Sequence, residues 1–360
     1  MSRIWWAQIR AVIRLELKKT FFARRGLWIY VLALLPVLLF VVYGIATASQ
    51  ENRTTRVARR GEKTLTYQDL LTIKPGMRAK EVTALLGKPA LQMYWNSGPS
   101  GSVLREHYQY SDGEHMLFLE IVDGEVRGVN VNHVRDLGEE SIMFAGVFQF
   151  FFLRLAVFFG CLGIFMNLFR GEVLDRSLHF YFLAPLRRET LMIGKFLAGL
   201  LATCIIFVTS LLLQLSVLVW QLSPQVRERY LFANHGVEHA GIYIGATVLA
   251  CVGYGAFFLV AGMLFRNPLI PAAAILIWEG INPFLPNILK QFSVIYYLKS
   301  LCPVDVPVQP GTPALLALLV SNPEPVSVPV AVLGLLTVAG VALYVSSMQV
   351  RRMEINYTTE

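Results

Sequence analysis

The stretch that decides the organisation of the chain is Gly171–Lys195, GEVLDRSLHFYFLAPLRRETLMIGK. It is a charged, proline-containing segment between two of the most apolar segments of the sequence. A charged side chain at the centre of a membrane helix costs roughly 2.5–3.5 kcal/mol, so we expect this segment to lie outside a bilayer. Its apolar residues recur at intervals of three and four, which predicts a short amphipathic helix over 172–190. These residues are Leu174, Leu178, Tyr181, Phe182 and Leu186.

The composition of the whole chain is that of a protein with several membrane spans. Of its 360 residues, 55% are hydrophobic and 16% are charged, and the mean hydropathy is +0.53. Four cysteines do not make a disulfide framework. The net charge of +8 comes largely from arginines and lysines beside the apolar segments, so no nucleic-acid partner is expected.

Six apolar segments are long enough to cross a bilayer, which takes about 20 residues. They are 27–48, 142–169, 191–222, 240–265, 269–289 and 328–350. Residues 1–26 carry basic side chains on one helical face and apolar ones beside it, as in a helix that lies on an anionic membrane surface. The predicted fold class is an all-α polytopic membrane protein with six transmembrane helices, an N-terminal interfacial helix and an inserted α+β domain over 49–141. Residues 142–350 hold spans two to six and the 172–190 helix, and 351–360 form a tail.

The distribution of basic residues predicts the orientation of the spans. Six crossings put both termini on one side. The segments on that side hold seven Lys/Arg in 1–26, five in 170–195, one at 266 and two in the tail, whereas the short loops 223–239 and 290–326 hold four together. The positive-inside rule therefore predicts that both termini and the 172–190 helix are cytoplasmic.

The polar segment 49–141 is predicted to form a small folded domain on the non-cytoplasmic side of the membrane. After a basic run, expected to be flexible, come two short helices at 67–73 and 78–86 and four strands at 91–95, 103–110, 115–122 and 125–131. Ser111-Asp112-Gly113 and Asp123-Gly124 are expected to form hairpin turns, because such turns need residues that accept a positive φ.

The charged segment resembles the first cytoplasmic loop of ABC exporter permeases of the type-two membrane family. That family has an acidic residue, an amphipathic coupling helix, a step at proline, arginines with a glutamate, and Gly-Lys at the start of the third span. The matching elements here are Glu172, Leu178–Leu183, Ala184-Pro185, Arg187-Arg188-Glu189 and Gly194-Lys195. The resemblance covers residues 1–48 and 142–360. It departs at His179, where the family commonly has an acid.

The resemblance implies a permease subunit that contacts a separate ATPase. The contact would be made by Glu172, Asp175, Arg176, His179, Leu183, Pro185, Arg187, Arg188, Glu189 and Lys195. The chain has no G-x-x-x-x-G-K-[ST] segment, so ATP and Mg²⁺ would be bound by the partner and no cofactor by this chain. A homodimer or a pseudo-symmetric heterodimer in the bacterial inner membrane is implied. The competing interpretation is an ordinary cytoplasmic loop with arginines that follow the positive-inside rule.

Residues 73–89 carry a second resemblance, to the small outer-membrane lipoprotein (SmpA/OmlA-like) fold. The matching residues are Ile73-Lys74-Pro75-Gly76-Met77, Glu81-Val82 and Leu85-Leu86-Gly87-Lys88-Pro89. In that family a three-stranded sheet follows. The resemblance implies a periplasmic scaffold or binding module, and hence a periplasmic partner for residues 49–141.

Two charged residues lie near the middle of predicted spans, Arg154 in the second and Glu279 in the fifth. Ionisable groups within membranes usually pair or line a polar cavity. We expect the two to pair or to share a polar region. A structural ion pair and a role in transport remain open as explanations.

His235-Gly236-Val237-Glu238-His239 matches H-x-x-E-H, a zinc-peptidase pattern. No obvious third ligand follows and Gly236 weakens the helix, so His235, Glu238 and His239 are a weak metal candidate and no metal is expected. The sequence is thus compatible with three functions. The first is export of an amphipathic or lipidic substrate, suggested by the few polar residues in the spans. The second is transmission of ATP hydrolysis to an envelope partner without transport, and a membrane metallopeptidase is a distant third.

Overall fold

The computed structural model describes residues 2–22, 26–97, 103–113, 115–133, 137–174, 188–222, 224–233, 235–265, 267, 269–307 and 326–352. The chain divides into two compact units. The first, here called the helical unit, is formed by Met1–Phe40 with Ser141–Glu360. The second, the inserted unit, is Val41–Glu140. The predicted insertion at 49–141 thus begins eight residues later than the unit and ends one residue after it.

The described elements, in chain order, are mostly helices. They are α1 Ser2–Phe22, α2 Leu27–Arg60, α3 Tyr67–Leu71, α4 Ala79–Leu86, β1 Leu91–Ser97, β2 Val103–Ser111, β3 His115–Val122, β4 Glu125–His133, α5 Leu137–Gly146, a π-helical stretch Val147–Val157, α6 Phe158–Leu174, α7 Arg188–Gln221, α8 Pro224–Glu228, a π-helical turn Arg229–Ala233, α9 Gly236–Leu264, α10 Leu269–Ile281, a 3-10 turn Asn282–Phe284, α11 Asn287–Lys290, α12 Val294–Leu301 and α13 Val328–Arg352.

Five stretches of described helix are long and apolar enough to cross a membrane, which indicates a helical membrane protein. They are Leu27–Arg60, Gly138–Leu168, Arg188–Gln221, Gly236–Leu264 and Val328–Arg351. Each coincides with one of the predicted spans.

The remaining predicted span, 269–289, is not one helix. Helix α10 has 13 residues and ends at Ile281; it is followed by a 3-10 turn and the short α11. Pro283 and Pro286 explain the break, because proline lacks the N–H that a helix interior needs and its ring clashes with the preceding turn. At about 1.5 Å per residue, α10 is roughly 20 Å long, well short of a bilayer core of about 30 Å.

Helix α2 is longer than the predicted first span and continues to Arg60. The basic run at 49–60, expected to be flexible, is therefore helical. This run has no glycine or proline before Gly61, and seven of its twelve residues are Arg, Gln, Glu or Ala, which favour helix. The sequence signal that ends the span is polarity, and polarity does not end a helix.

Helix α9 packs closely against α6 because glycines line the contact. A Cβ atom on Gly255 would lie 2.5 Å from Cζ of Phe165, and one on Gly262 would lie 2.9 Å from the Cα atom of Met166. Such distances are below van der Waals contact, so only glycine permits this approach of the two helices. The two aromatic residues Phe158 and Phe258 fill the neighbouring layer with their ring centroids 5.0 Å apart.

The inserted unit is a four-stranded antiparallel sheet, in the order β1-β2-β3-β4, with its own core. The strands confirm the predicted α+β composition, with one strand more than the resemblance implies. Leu117, Leu119 and Ile121 alternate along β3 and are fully buried, together with Leu70 and Val82 from the helices. This period of two is what a sheet with one covered face requires.

The predicted hairpin turns lie where expected. Gly113 has a φ of +105°, and Asp123 and Gly124 have φ values of 53° and 82°. Two consecutive positive φ values are those of a two-residue turn of type I′, whose twist matches that of the strands. The Tyr110 hydroxyl donates to the Gly87 carbonyl at 3.1 Å, which ties β2 to the end of α4. Burial raises the pKa of Tyr110, so its hydroxyl is protonated at neutral pH.

Candidate functional site

The predicted ATPase-contact segment lies largely outside the described residues. Asp175, Arg176, His179, Leu183, Pro185 and Arg187 are among these undescribed positions, and nothing is described of the side chain of Glu172. The described part of the predicted contact consists of Arg188, Glu189 and Lys195, all in the first turns of α7.

Lys195 is buried within the chain, and it holds the N-terminal helix α1. Its Nζ donates to Oε1 of Glu16 at 2.8 Å and to the carbonyl of Leu168 at 2.7 Å. Lys195 is 0% exposed and Glu16 is 4% exposed. A buried charge is tolerated only when it is paired and hydrogen-bonded, and both conditions are met here. Its burial gives Lys195 a structural role within the chain, and its contact with a partner subunit stays a prediction.

Gly194 also contributes to the contact between α1 and α7. A Cβ atom at Gly194 would lie 2.9 Å from Cγ1 of Val12, so α1 can approach α7 closely only at a glycine. The Gly-Lys pair at the start of α7 thus has a physical explanation: the glycine admits α1 and the lysine binds its single acid, Glu16. The signal for this contact was available in the sequence, since Glu16 is the only acidic residue among the first 26.

Arg188 and Glu189 contact the other end of the chain. The Arg188 guanidinium donates to the carbonyl of Arg351 at 2.9 Å. Glu189 forms an ion pair with the guanidinium of Arg351, at the C-terminal end of α13. Helix α1 and the end of α13 therefore both pack at the N-terminal end of α7.

Glu279 caps a helix in the interior of the helical unit. Its Oε2 accepts hydrogen bonds from the Ser293 hydroxyl at 2.6 Å and from the Ile295 N–H at 2.9 Å. Its Oε1 accepts from the Val294 N–H at 2.9 Å. These donors form the N-terminus of α12, where free N–H groups and the helix dipole favour a negative charge. Glu279 is 6% exposed, so the carboxylate that joins α10 to α12 is shielded from solvent.

Arg154 lies near Glu279 but does not form an ion pair with it. Its guanidinium carbon is 5.4 Å from the ring centroid of Phe150, within range of a cation–π interaction. Its buried Nε has no hydrogen-bond partner among the described residues. Tyr254 and Glu279 interact electrostatically with Arg154 without a direct contact. Arg154 and Glu279 thus share a polar region without a direct ion pair, which is one of the two arrangements expected from the sequence.

The π-helical stretch Val147–Val157 that carries Arg154 is a further feature of this region. Wide turns of this kind frequently occur at functional sites in α-helices. Gln149, in the same stretch, donates from Nε2 to the carbonyl of Val304 at 3.0 Å. The helix that holds Arg154 is therefore also bound to the chain beyond α12.

The sequence does contain a start signal for the helix that Glu279 caps. Ser293 precedes the apolar run Val294–Leu301 and adopts the extended conformation of a helix N-cap, with φ −96° and ψ 136°. A serine before an apolar run is a recognised start signal for a helix. A single helix over 269–289 conflicts with this signal, because it places the run after Ser293 in the predicted loop 290–326.

The H-x-x-E-H motif lies at the start of α9 and is exposed. Nδ1 of His235 is 3.0 Å from Oε2 of Glu238, and the two side chains are 72% and 67% exposed. His235 has a φ of 55°, outside the helix that would have to present it with His239. Within the described ranges, no three His, Cys, Asp or Glu side chains are grouped as a metal site would require.

Two comparisons with known proteins identify no relative. The sequence matches no protein-family model, and no curated protein is significantly similar to it.

Proposed function

We propose that this chain is the membrane-spanning subunit of an ABC exporter that is driven by a separate ATPase subunit. The observation that carries the proposal is the meeting of α1 and the end of α13 at the N-terminal end of α7, through Lys195 and Glu189. The segment 172–190 leads directly into that end. A partner that binds the segment 172–190 could therefore act on α1, α7 and α13 together.

The positions of the chain ends support six crossings, the fifth of them interrupted. Helix α9 ends at Leu264 and α13 begins at Val328, and an intervening chain that crosses the unit again would let α13 end beside α7. Helices α10 and α12 have 13 and 8 residues. Together they are about 30 Å long, the thickness of a bilayer core. Glu279 holds them together where they meet.

The direction of α12 fits the second half of an interrupted fifth crossing. Val294, at its start, lies against Gly253 in α9, whereas Tyr297 lies against Gly334, six residues from the start of α13. Helix α12 therefore leads towards the end of the unit at which α13 begins. With six crossings, both termini and 172–190 are on the cytoplasmic side under the positive-inside rule.

The energy for transport would come from the partner, which would bind ATP and Mg²⁺. Two copies of this chain, or this chain and a related one, would form the pathway for an amphipathic or lipidic substrate out of the cytoplasm or inner leaflet. The localisation that follows is the bacterial inner membrane, with the inserted unit in the periplasm.

A non-transporting subunit is a second candidate, favoured by the inserted unit. This unit has a separate core and an antiparallel sheet, so it can present a surface of its own to an envelope partner. In that case ATP hydrolysis would move the inserted unit rather than a substrate. A transportable compound that stimulates ATPase activity would favour export.

Affinity purification of the tagged full chain from native membranes tests the proposal. We expect an ATPase with a P-loop to co-purify, and a double variant His179→Ala/Leu183→Asp to lose it while remaining in the membrane. Trp220→Ala is the matched control, since Trp220 lies at the other end of α7 and is 78% exposed. Purification without any ATPase from both gentle detergent and cross-linked membranes would refute the proposal.

A further inference from the structure

A cavity of about 640 Å³ lies between α9, α10 and α13. Its walls include Phe257 and Leu264 from α9, Ile275 and Trp278 from α10, and Val341 and Val345 from α13. Except for Glu279, Thr337 and the indole of Trp278, every lining side chain is a hydrocarbon. The cavity belongs to the helical unit, and no step of the proposed ATPase coupling uses it.

The oxygen-bearing side chains in the wall are already hydrogen-bonded within the chain. Glu279 accepts hydrogen bonds from Ser293, Val294 and Ile295. The Thr337 hydroxyl donates to the carbonyl of Leu333 at 2.7 Å. A polar ligand would lose its hydration without finding partners in such a wall. The cavity therefore fits an apolar occupant.

The lining residues show along which helices the cavity extends. It follows α9 from Phe257 to Phe265 and α13 from Thr337 to Val345. Each of these stretches spans eight residue steps, or about 12 Å along a helix axis. The cavity, here called the slot, thus lies along two helices that are long enough to cross a membrane.

The slot opens at the surface of the helical unit. On its rim Leu264 is 51% exposed, Phe292 is 58% exposed and Val341 is 59% exposed. In a bilayer the medium around these positions is lipid hydrocarbon. An empty apolar slot would forfeit dispersion contacts along its walls, which a hydrocarbon chain from the neighbouring lipid would restore.

We infer that the slot binds one acyl chain of a membrane phospholipid. The chain comes from the leaflet on the side of the N-terminal end of α7, because Val345 lies six residues before Arg351, which contacts Glu189 there. The inference goes beyond the proposed function: it concerns a ligand of this chain and holds with or without an ATPase partner.

Photo-crosslinking of the full chain in phospholipid nanodiscs tests the inference. The probe is a phosphatidylethanolamine with a diazirine in one acyl chain, and mass spectrometry locates the labelled residues. We expect labelling concentrated in 257–265, 271–279 and 337–345, and saturable by unlabelled phosphatidylethanolamine. Labelling spread evenly over lipid-facing helices, including α2, would overturn the inference.

Variants that fill the slot provide the second arm. Ala274→Trp and Ala342→Trp place an indole in the slot, and either should lower labelling of 257–265 roughly tenfold, the loss expected if about two methylene groups can no longer be buried. Ile205→Trp is the control, since Ile205 lies on α7 and is 52% exposed. Unchanged labelling in a filled variant would overturn the inference, as would cross-links at these positions to a second copy of the chain. Should neither variant fold, saturation in the unmodified chain decides.

Discussion

Glu279 and Ser293 are 14 residues apart in the sequence and are hydrogen-bonded in the interior of the helical unit. The carboxylate supplies acceptors for a helix N-terminus whose N–H groups water cannot reach. Glu279 is therefore a positioning residue: it fixes the start of α12 against the end of α10. Its carboxylate is used in this cap, and the buried Nε of Arg154 has no hydrogen-bond partner among the described residues.

Removing the cap should destabilise the protein. Glu279→Ala leaves three buried donors unsatisfied, each of which costs about 1–3 kcal/mol, so a loss of several kcal/mol is expected. Glu279→Gln keeps one acceptor oxygen and should have a smaller effect. Thermal unfolding of the purified chain in detergent, followed by size-exclusion chromatography, measures both.

Glu238→Ala is the control for this comparison. The Glu238 side chain is 67% exposed, and its replacement should change the free energy of unfolding by less than about 0.5 kcal/mol. If Glu279→Ala were as stable as Glu238→Ala, the capping role of Glu279 would be wrong.

Lys195 and Glu16 allow a second prediction at this scale. Lys195→Met removes the ammonium group that lies 2.8 Å from the buried Glu16 carboxylate, and breaking a buried pair in this way typically costs about 3–5 kcal/mol. The double variant Glu16→Leu/Lys195→Met removes both charges and should recover most of that loss. A double-mutant cycle on thermal unfolding gives the coupling energy. Additive effects of the two single changes would show that the pair does not couple α1 to α7.

The contact of α9 with α6 depends on the absence of side chains. Gly262→Ala would bring a Cβ atom to 2.9 Å from the backbone of Met166, so one of the two helices must move. Overpacking of this kind costs about 1–3 kcal/mol. Loss of stability in Gly262→Ala, measured in detergent, is the expected result.

Gly241→Ala, in the same helix, is the matched control. A Cβ atom there would have nothing within 4 Å, so the better helix propensity of alanine should leave the protein unchanged or stabilise it by up to about 1 kcal/mol. Equal stability of the two variants would contradict the account of the α9–α6 contact as sterically limited.

The sequence predicted elements where one local signal dominates. The five long spans and the four strands are set by composition and by periods of 3.6 and 2, and the turn at Asp123-Gly124 by its need for positive φ. The prediction of one helix over 269–289 was wrong because two signals compete there. Hydropathy continues through 269–289, while Pro283 and Pro286 end the helix. The site depends on contacts between distant segments, such as Lys195 with Glu16 across 179 residues, and no local pattern specifies these.

At the scale of the whole molecule, the number of crossings decides on which side the C-terminal tail lies. Five long helices alone would put the tail on the side opposite α1, whereas an additional crossing by α10 and α12 puts it on the same side. Arg351 of α13 contacts Glu189 and Glu16 of α1 contacts Lys195, both at one end of α7. These contacts favour the second arrangement.

Single cysteines in a cysteine-free background distinguish the two arrangements. Ser2→Cys and Thr358→Cys should both resist a membrane-impermeant maleimide in intact cells and react after permeabilisation. Lys80→Cys, in the inserted unit, should react in both conditions, since Lys80 is exposed in that unit. Reaction of Thr358→Cys in intact cells, with Ser2→Cys protected, would mean that residues 265–327 do not cross. In that case Glu279 would cap a helix that enters the bilayer and returns, and the two ends of the chain could not share one face of the membrane.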